Sequence, residues 1–106
     1  ILYDKLLAKT TLKWIKWSDD ATRNYGYYPL IFSSQRQMMK IKIFLNKNGI
    51  YPRRYFYPPL NRLSYVSKTK CPVAEDISGR FLCLPIYPEM ENRDVELITR
   101  LIIEKL

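Results

Sequence analysis

The densest chemistry in this chain lies in Arg53, Arg54, Tyr55, Phe56 and Tyr57, followed at once by Pro58, Pro59, Leu60 and Asn61. Two guanidinium forks beside tyrosine hydroxyls suit an anion and ring site, since arginine meets phosphate through parallel N–H donors and tyrosine bonds sugar or phosphate oxygens. The same residues also read as an ordinary strand, with Tyr51, Tyr55 and Tyr57, or Ile50 and Phe56, filling a core while the arginines are solvated. A third reading is an RNA-binding sheet that displays aromatic rings as stacking platforms. That pattern wants glycines between its rings, whereas this stretch has none and runs into a double proline.

Other chemistry is scarce. The chain has no histidine and two cysteines, Cys71 and Cys83. A structural zinc site needs four Cys or His ligands, and Ser-His or Cys-His catalysis needs an imidazole, so no metal and no such nucleophile is expected. Cys83 sits in the apolar run LCLPIYP and reads as a buried, inert thiol, and both cysteines are expected to be reduced. Asp19 and Asp20, Glu75 and Asp76, and Glu89 and Glu91 fall at turns or helix starts, where capping and solvation account for them. No acid–base pair stands out.

With 106 residues, the length suits one domain with one modest core, and 47% hydrophobic residues supply enough apolar material for it. Eighteen Lys and Arg against ten Asp and Glu give a formal charge of +8, which favours anionic partners: nucleic acid, an acidic membrane surface or phosphorylated small molecules. No apolar run approaches the ~20 residues a bilayer-spanning helix needs. No leader peptide or Asn-x-Ser/Thr acceptor is visible, so a cytoplasmic location is expected.

The elements that must position the basic-aromatic segment follow from periodicity and punctuation. Ile1, Leu2, Leu6 and Leu7 have helix-face spacing, without a cap residue before them. Leu12, Trp14, Ile15 and Trp17 alternate with lysines along an arm that ends near Ser18 to Asp20. Residues 24–32, NYGYYPLIF, read as a strand buried on both faces, with Pro29 at an edge or bulge and Tyr25, Tyr27 and Tyr28 in core packing. Ser34 and Gln37 form a capping-box pattern and Asn48-Gly49 a C-terminal cap, which bracket a helix with Met38, Ile41, Phe44 and Leu45 on one face.

A second strand follows over 50–57 and a polar, basic loop over 60–70. Pro72 starts a helix with Val73, Ile77 and Phe81 along one side, and residues 82–88 form a third strand. A closing helix capped by Asn92 buries Val95, Ile98, Leu101 and Ile102. The sum is an α+β domain, a two-layer unit of about three strands with helices on one face. One domain spans 1–106, with a leading helix and arm over 1–23 and an α+β core over 24–106.

Four blocks in order, NYGYYPLIF, LNKNGIYPRRYFYPPLN, CPVAEDIS and LCLPIYPEMENRDVELI, resemble the C-terminal segment of the sugar aminotransferases of the DegT/DnrJ/EryC1/StrS type. The resemblance runs from about Leu2 to the end. It implies the small C-terminal domain of a fold-type I aminotransferase whose large domain, with the pyridoxal phosphate site and its Schiff-base lysine, is absent from this chain. No lysine here aligns with that lysine, so the fragment is expected to be inactive alone and to bind no cofactor.

The intact enzyme would use pyridoxal phosphate to aminate a keto-deoxy-sugar on a nucleotide diphosphate, the dTDP-linked kind in particular. An amino donor such as glutamate would serve it, in deoxyamino-sugar synthesis for surface polysaccharide. The parent would be a homodimer, the fragment would self-associate through Trp14 and Trp17 or through the first helix, and neither membrane nor nucleic acid would be a partner. Many family members read HYPPLH where this chain has RYFYPPLN. The match assigns substrate contact to Arg54, Tyr55 and Tyr57, with Arg53, Asn61 and Tyr25 as further candidates, and rules out any histidine contact. The competing class is a free-standing basic module for RNA or another polyanion.

Overall fold

The computed structural model describes residues 2–13, 19–22, 26–55, 57–65, 67 and 69–106. Its elements run α1 (Leu2–Leu7), β1 (Pro29–Ile31), α2 (Gln35–Lys47), a 3-10 turn (Leu60–Arg62), α3 (Pro72–Ser78), β2 (Phe81–Cys83) and α4 (Asn92–Glu104). An α+β architecture is therefore present, as the periodicity requires.

Helix α2 has the ends its sequence specifies. The Ser34 hydroxyl accepts from the Gln37 N–H at 3.1 Å, a cap worth about 1 kcal/mol. Gln37 Oε1 in turn accepts from the N–H of Ser33 at 3.1 Å and from its hydroxyl at 2.8 Å, one residue upstream of the usual capping box. At the other end Gly49 takes φ 78°, in the left-handed region, and the Asn48 side-chain amide donates to the Phe44 carbonyl at 2.9 Å. Met38, Ile41 and Leu45 are fully buried; Phe44 is only half-buried.

The sheet is smaller than the sequence suggests. Strands β1 and β2 pair antiparallel in the register Pro29 with Cys83, Leu30 with Leu82 and Ile31 with Phe81. One bridge on each side widens it, Lys13 to Ile31 and Arg53 to Cys83. The expected strand over 50–57 is thus a single bridging residue among the described ones. Arg53 and Cys83 exchange both backbone bonds, so the next bonded pair on one side would be Tyr51 with Pro85, and Pro85 has no N–H to donate. The expected strand over 82–88 likewise spans Phe81–Cys83, with Pro85 removing the next ladder donor.

Burial on both faces of 24–32 is corrected as well. Tyr28, Leu30 and Phe32 are at most 1% exposed, but Tyr27 just before them is 54% exposed, and Pro29 and Ile31 between them are only partly buried. The sheet packs its core through one face, so period-2 alternation turns every other side chain outward. Pro29 opens β1, a position where its missing N–H costs nothing.

Helices α2 and α4 lie against each other, α2 also against β2, and α1 against α4. Val95, Ile98, Leu101 and Ile102 are buried as their spacing requires, while Glu91 rather than Asn92 occupies the N-cap position of α4. In α1 the buried residues are Tyr3 and Leu7, with Leu2 and Leu6 only partly covered. The Tyr3 ring packs 4.8 Å from Tyr28 and its hydroxyl donates to the Pro85 carbonyl at 2.9 Å, so burial pushes that phenol's pKa up. Val73 on α3 is 71% exposed instead of facing the core. Trp14, Ile15 and Trp17 of the expected arm lie outside the described residues. Among the described residues, no helix is long and apolar enough to cross a membrane.

Candidate functional site

The segment that opened the sequence reading is held at both ends. Upstream, the left-handed Gly49 turns the chain out of α2, and the Ile50 N–H donates to the Leu45 carbonyl at 2.9 Å. Arg53 then docks its backbone on β2: its N–H donates to the Cys83 carbonyl at 3.0 Å, and the Cys83 N–H returns a bond at 2.8 Å. Downstream, Pro59 leads into the 3-10 turn, and Asn61 donates to the Thr69 carbonyl at 2.7 Å and to the Glu75 carboxylate at 2.9 Å. Arg62 pairs with the same Glu75.

Two ring contacts involve this segment. The Arg54 guanidinium lies over the Tyr57 ring, 3.7 Å from its centre. Tyr55 meets Tyr27 edge to face, with ring centres 5.3 Å apart. The three tyrosines keep 40 to 54% of their surface exposed, so the cluster is an open wall rather than a core. Arg54 Nε and Nη2 are buried and, among the described residues, without a hydrogen-bond partner. By contrast Arg62, Arg80 and Arg93 each lie against a carboxylate. A guanidinium fork with unmet donors is the kind of group that pairs with a bidentate oxyanion once its edge is uncovered.

Of the candidates, the structure stacks Arg54 on Tyr57 and sets Tyr55 against Tyr27. Arg53 joins the sheet edge through its backbone alone, and its side chain is exposed. The Asn61 amide closes the 60–69 loop onto α3 through both of its hydrogen bonds. Tyr25 and Phe56 lie outside the described residues. Tyr27 was missed as a member of the wall, although the alternation of Tyr28, Leu30 and Phe32 signals that it faces the other way. Because Arg53–Tyr57 contributes one bridging residue rather than a strand, no sheet platform of the RNA-binding kind is formed by it.

Beside the wall, Pro58, Pro59, Leu60 and Asn61 face Cys71, Ala74, Ile77, Ser78 and Phe81 across an apolar groove of about 640 Å³. Both cysteines are free. Burial pushes the Cys83 thiol from an ordinary 9.0 up to about 11. Because the folded value lies above the unfolded one, this thiol's contribution to stability is present below pH ~9 and fades as pH climbs toward 11. In native protein at pH 8 a thiol reagent should label Cys71 alone, with the second equivalent appearing only on unfolding; fast labelling of Cys83 in the native state would contradict its burial.

At the opposite end of α3, Arg80 donates to Asp76 through Nε at 3.1 Å and Nη2 at 2.8 Å, and to the Phe32 carbonyl through Nη1 at 2.6 Å. These bonds hold the Asp76 carboxyl below its usual pKa and tie α3 to the end of β1. Among the described residues, no group of three Cys, Asp or Glu side chains could hold a metal ion.

A small α+β unit that carries an arginine–tyrosine wall is a part of a fold found in aminotransferases. The chain superimposes on aminotransferase TlmJ from Streptoalloteichus hindustanus with TM-score 0.86 at 24% identity, covering 97% of this chain and 28% of that one. A putative sugar aminotransferase from Streptococcus pneumoniae, in its PLP form, gives TM-score 0.71 at 16% identity over 99% of this chain and 30% of its own. Residues 1–102 match the DegT/DnrJ/EryC1/StrS aminotransferase family, and the chain belongs to that family. It is 34% identical over 91 residues to dTDP-4-amino-4,6-dideoxy-D-glucose transaminase of Escherichia coli, over 78% of this chain and 24% of the relative. The Shigella dysenteriae transaminase of the same name is 31% identical over 87 residues, 76% of this chain and 24% of the relative. The chain thus spans about a quarter of the length of these relatives.

Enzymes of this family depend on pyridoxal phosphate. The wall does not fit that cofactor by itself. Its members are one guanidinium and three phenols, with neither an amine to join the cofactor's aldehyde nor a carboxylate to face its pyridine nitrogen. What these residues offer is a cationic fork and phenol hydroxyls.

Proposed function

We propose that the chain is the C-terminal small domain, 1–106, of a cytoplasmic, pyridoxal phosphate-dependent nucleotide-sugar aminotransferase, and that its arginine–tyrosine wall forms one side of the substrate pocket. The observation that carries this reading is the Arg54 fork, stacked on Tyr57 with two buried donors unmet. A sugar nucleotide presents a diphosphate to such a fork and hydroxyls to Tyr55, Tyr57 and Tyr27. The names of the relatives, transaminases of dTDP-4-amino-4,6-dideoxy-D-glucose, support a dTDP-linked 4-keto-6-deoxy hexose as substrate. Glutamate serves as amino donor, and the parent works as a homodimer in deoxyamino-sugar synthesis for surface polysaccharide.

The large domain, with the lysine and the pyridine-nitrogen partner, precedes this one in the parent chain, and the apolar groove beside α3 is where the remainder of the parent covers it. In this division of labour the cofactor supplies the amino-group chemistry. Arg54 holds the diphosphate, and the tyrosine wall orients the sugar and excludes water from one side.

The test is to read the coding sequence upstream and assay its product. Full-length protein with pyridoxal phosphate and glutamate should aminate a dTDP-keto-deoxy-hexose, while the isolated 106-residue chain should show no turnover. An upstream sequence without a pyridoxal phosphate domain and its lysine would sink the reading.

A further inference from the structure

Helix α2 carries Arg36, Lys40, Lys42 and Lys47 and not one carboxylate. Arg36 sits in its first turn, where the helix dipole disfavours a cation, so helix stability does not account for it. Arg36, Lys40, Ile43 and Lys47 follow an i, i+4, i+7, i+11 spacing, which aligns them in a stripe about 16 Å long, away from buried Met38, Ile41 and Leu45. All four are exposed, Ile43 to 50%.

Lys105, just past the end of α4, extends the stripe. With Lys40, Ile43, Phe44 and Lys47 it lines a shallow groove of about 260 Å³, and its ammonium stands 4.6 Å from the centre of the Phe44 ring. Among the described residues, Arg36, Lys40, Lys47 and Lys105 form no ion pair.

We infer that this face docks the protein on an anionic membrane surface, in addition to its work at the substrate wall. This revises the expectation that no membrane is a partner. A second copy of the chain is disfavoured, because each carries a formal +8 and the stripes would repel. Single-stranded RNA would need open rings to stack on, and the one ring here already has Lys105 over its face. A folded acidic partner would have to match the fixed positions of four cations on two helices.

Anionic lipid headgroups diffuse into register beneath them instead. Long lysine stems can lie beside Ile43 while their ammoniums reach the headgroups, which is the arrangement of a peripheral, in-plane helix.

The experiment is co-sedimentation of the full-length protein with phosphatidylserine–phosphatidylcholine vesicles and with pure phosphatidylcholine vesicles. Binding is expected only to the anionic vesicles and should weaken with salt. Each basic residue at such a surface is worth roughly fivefold in partitioning, so Lys40→Gln/Lys47→Gln should lower it about 25-fold. The exposed pair Lys9→Gln/Lys70→Gln loses the same net charge elsewhere and should change it little.

Absence of vesicle binding would overturn the inference, as would equal losses for the two pairs, since net charge and not the stripe would then be responsible. Binding to polyglutamate or polyuridylate through the same lysines, with no binding to vesicles, would also overturn it, in favour of an acidic protein or RNA.

Discussion

Replacing Arg54 with Met in the full-length enzyme should lower kcat/KM for the nucleotide sugar by roughly 10- to 150-fold, while the domain stays as stable or gains up to about 1 kcal/mol. The two halves of this expectation have one cause. Arg54 Nε and Nη2 are buried without partners, so in the free domain they carry a desolvation cost that methionine does not. Methionine also keeps a favourable contact with the Tyr57 ring in place of the stacked guanidinium.

On binding, the same two donors would share one bidentate, charged interaction with a diphosphate, worth about 1.5–3 kcal/mol in all, and that range sets the size of the kinetic loss. The loss should appear mainly in KM, because a contact remote from the reacting carbon binds ground state and transition state alike. Lysine keeps the charge but not the fork and should recover only part of the activity. Kinetics and urea unfolding on the same variants decide the matter. A large loss of stability with unchanged kinetics would make Arg54 a structural residue.

Leu82→Ala should cost about 2–5 kcal/mol, and Leu60→Ala within about 0.5 kcal/mol of nothing. Leu82 has no exposed surface and is the middle residue of β2, cross-paired with Leu30 and packed beneath α2. With only two short strands in the sheet among the described residues, few side chains are available to close a cavity there. Leu60 has 77% of its surface exposed at the start of the 3-10 turn. Domains of this size unfold with about 5–15 kcal/mol in hand, so the Leu82 variant should lose on the order of 10–20 °C in Tm. Equal midpoints for the two variants would show that the core is not where the structure puts it.

The parts of this molecule that were legible in sequence are those governed by local chemistry. The Ser34 cap, the Gly49 terminator and the Met38, Ile41 and Leu45 stripe each follow from residues within a few turns of one another, and α2 has those ends and that face. The same holds for the α4 positions Val95, Ile98, Leu101 and Ile102. Strand length was misjudged for a different reason. Tyrosine-rich runs have strand propensity, yet a ladder needs partners, and Pro85 removes the donor that would face Tyr51 beyond the Arg53–Cys83 bridge. Val73 on α3 has helical spacing toward a core that lies elsewhere, and is exposed.

By itself, the sequence determined which side chains could meet an oxyanion and a sugar, because the two arginines and the tyrosines are adjacent in the chain. It also excluded imidazole catalysis outright, since there is no histidine to perform it. Only the tertiary structure decided how the four residues divide their work. Arg53 is held at the sheet edge by two backbone bonds to Cys83, Asn61 is drawn to Thr69 and Glu75, and Arg54 is left stacked on Tyr57 with two buried donors unmet. Tyr27 joins Tyr55 from a segment nearly thirty residues away. Such pairings depend on which strand lies beside which and on what each donor finds within reach, and neither distance nor competition between partners is written in adjacent residues.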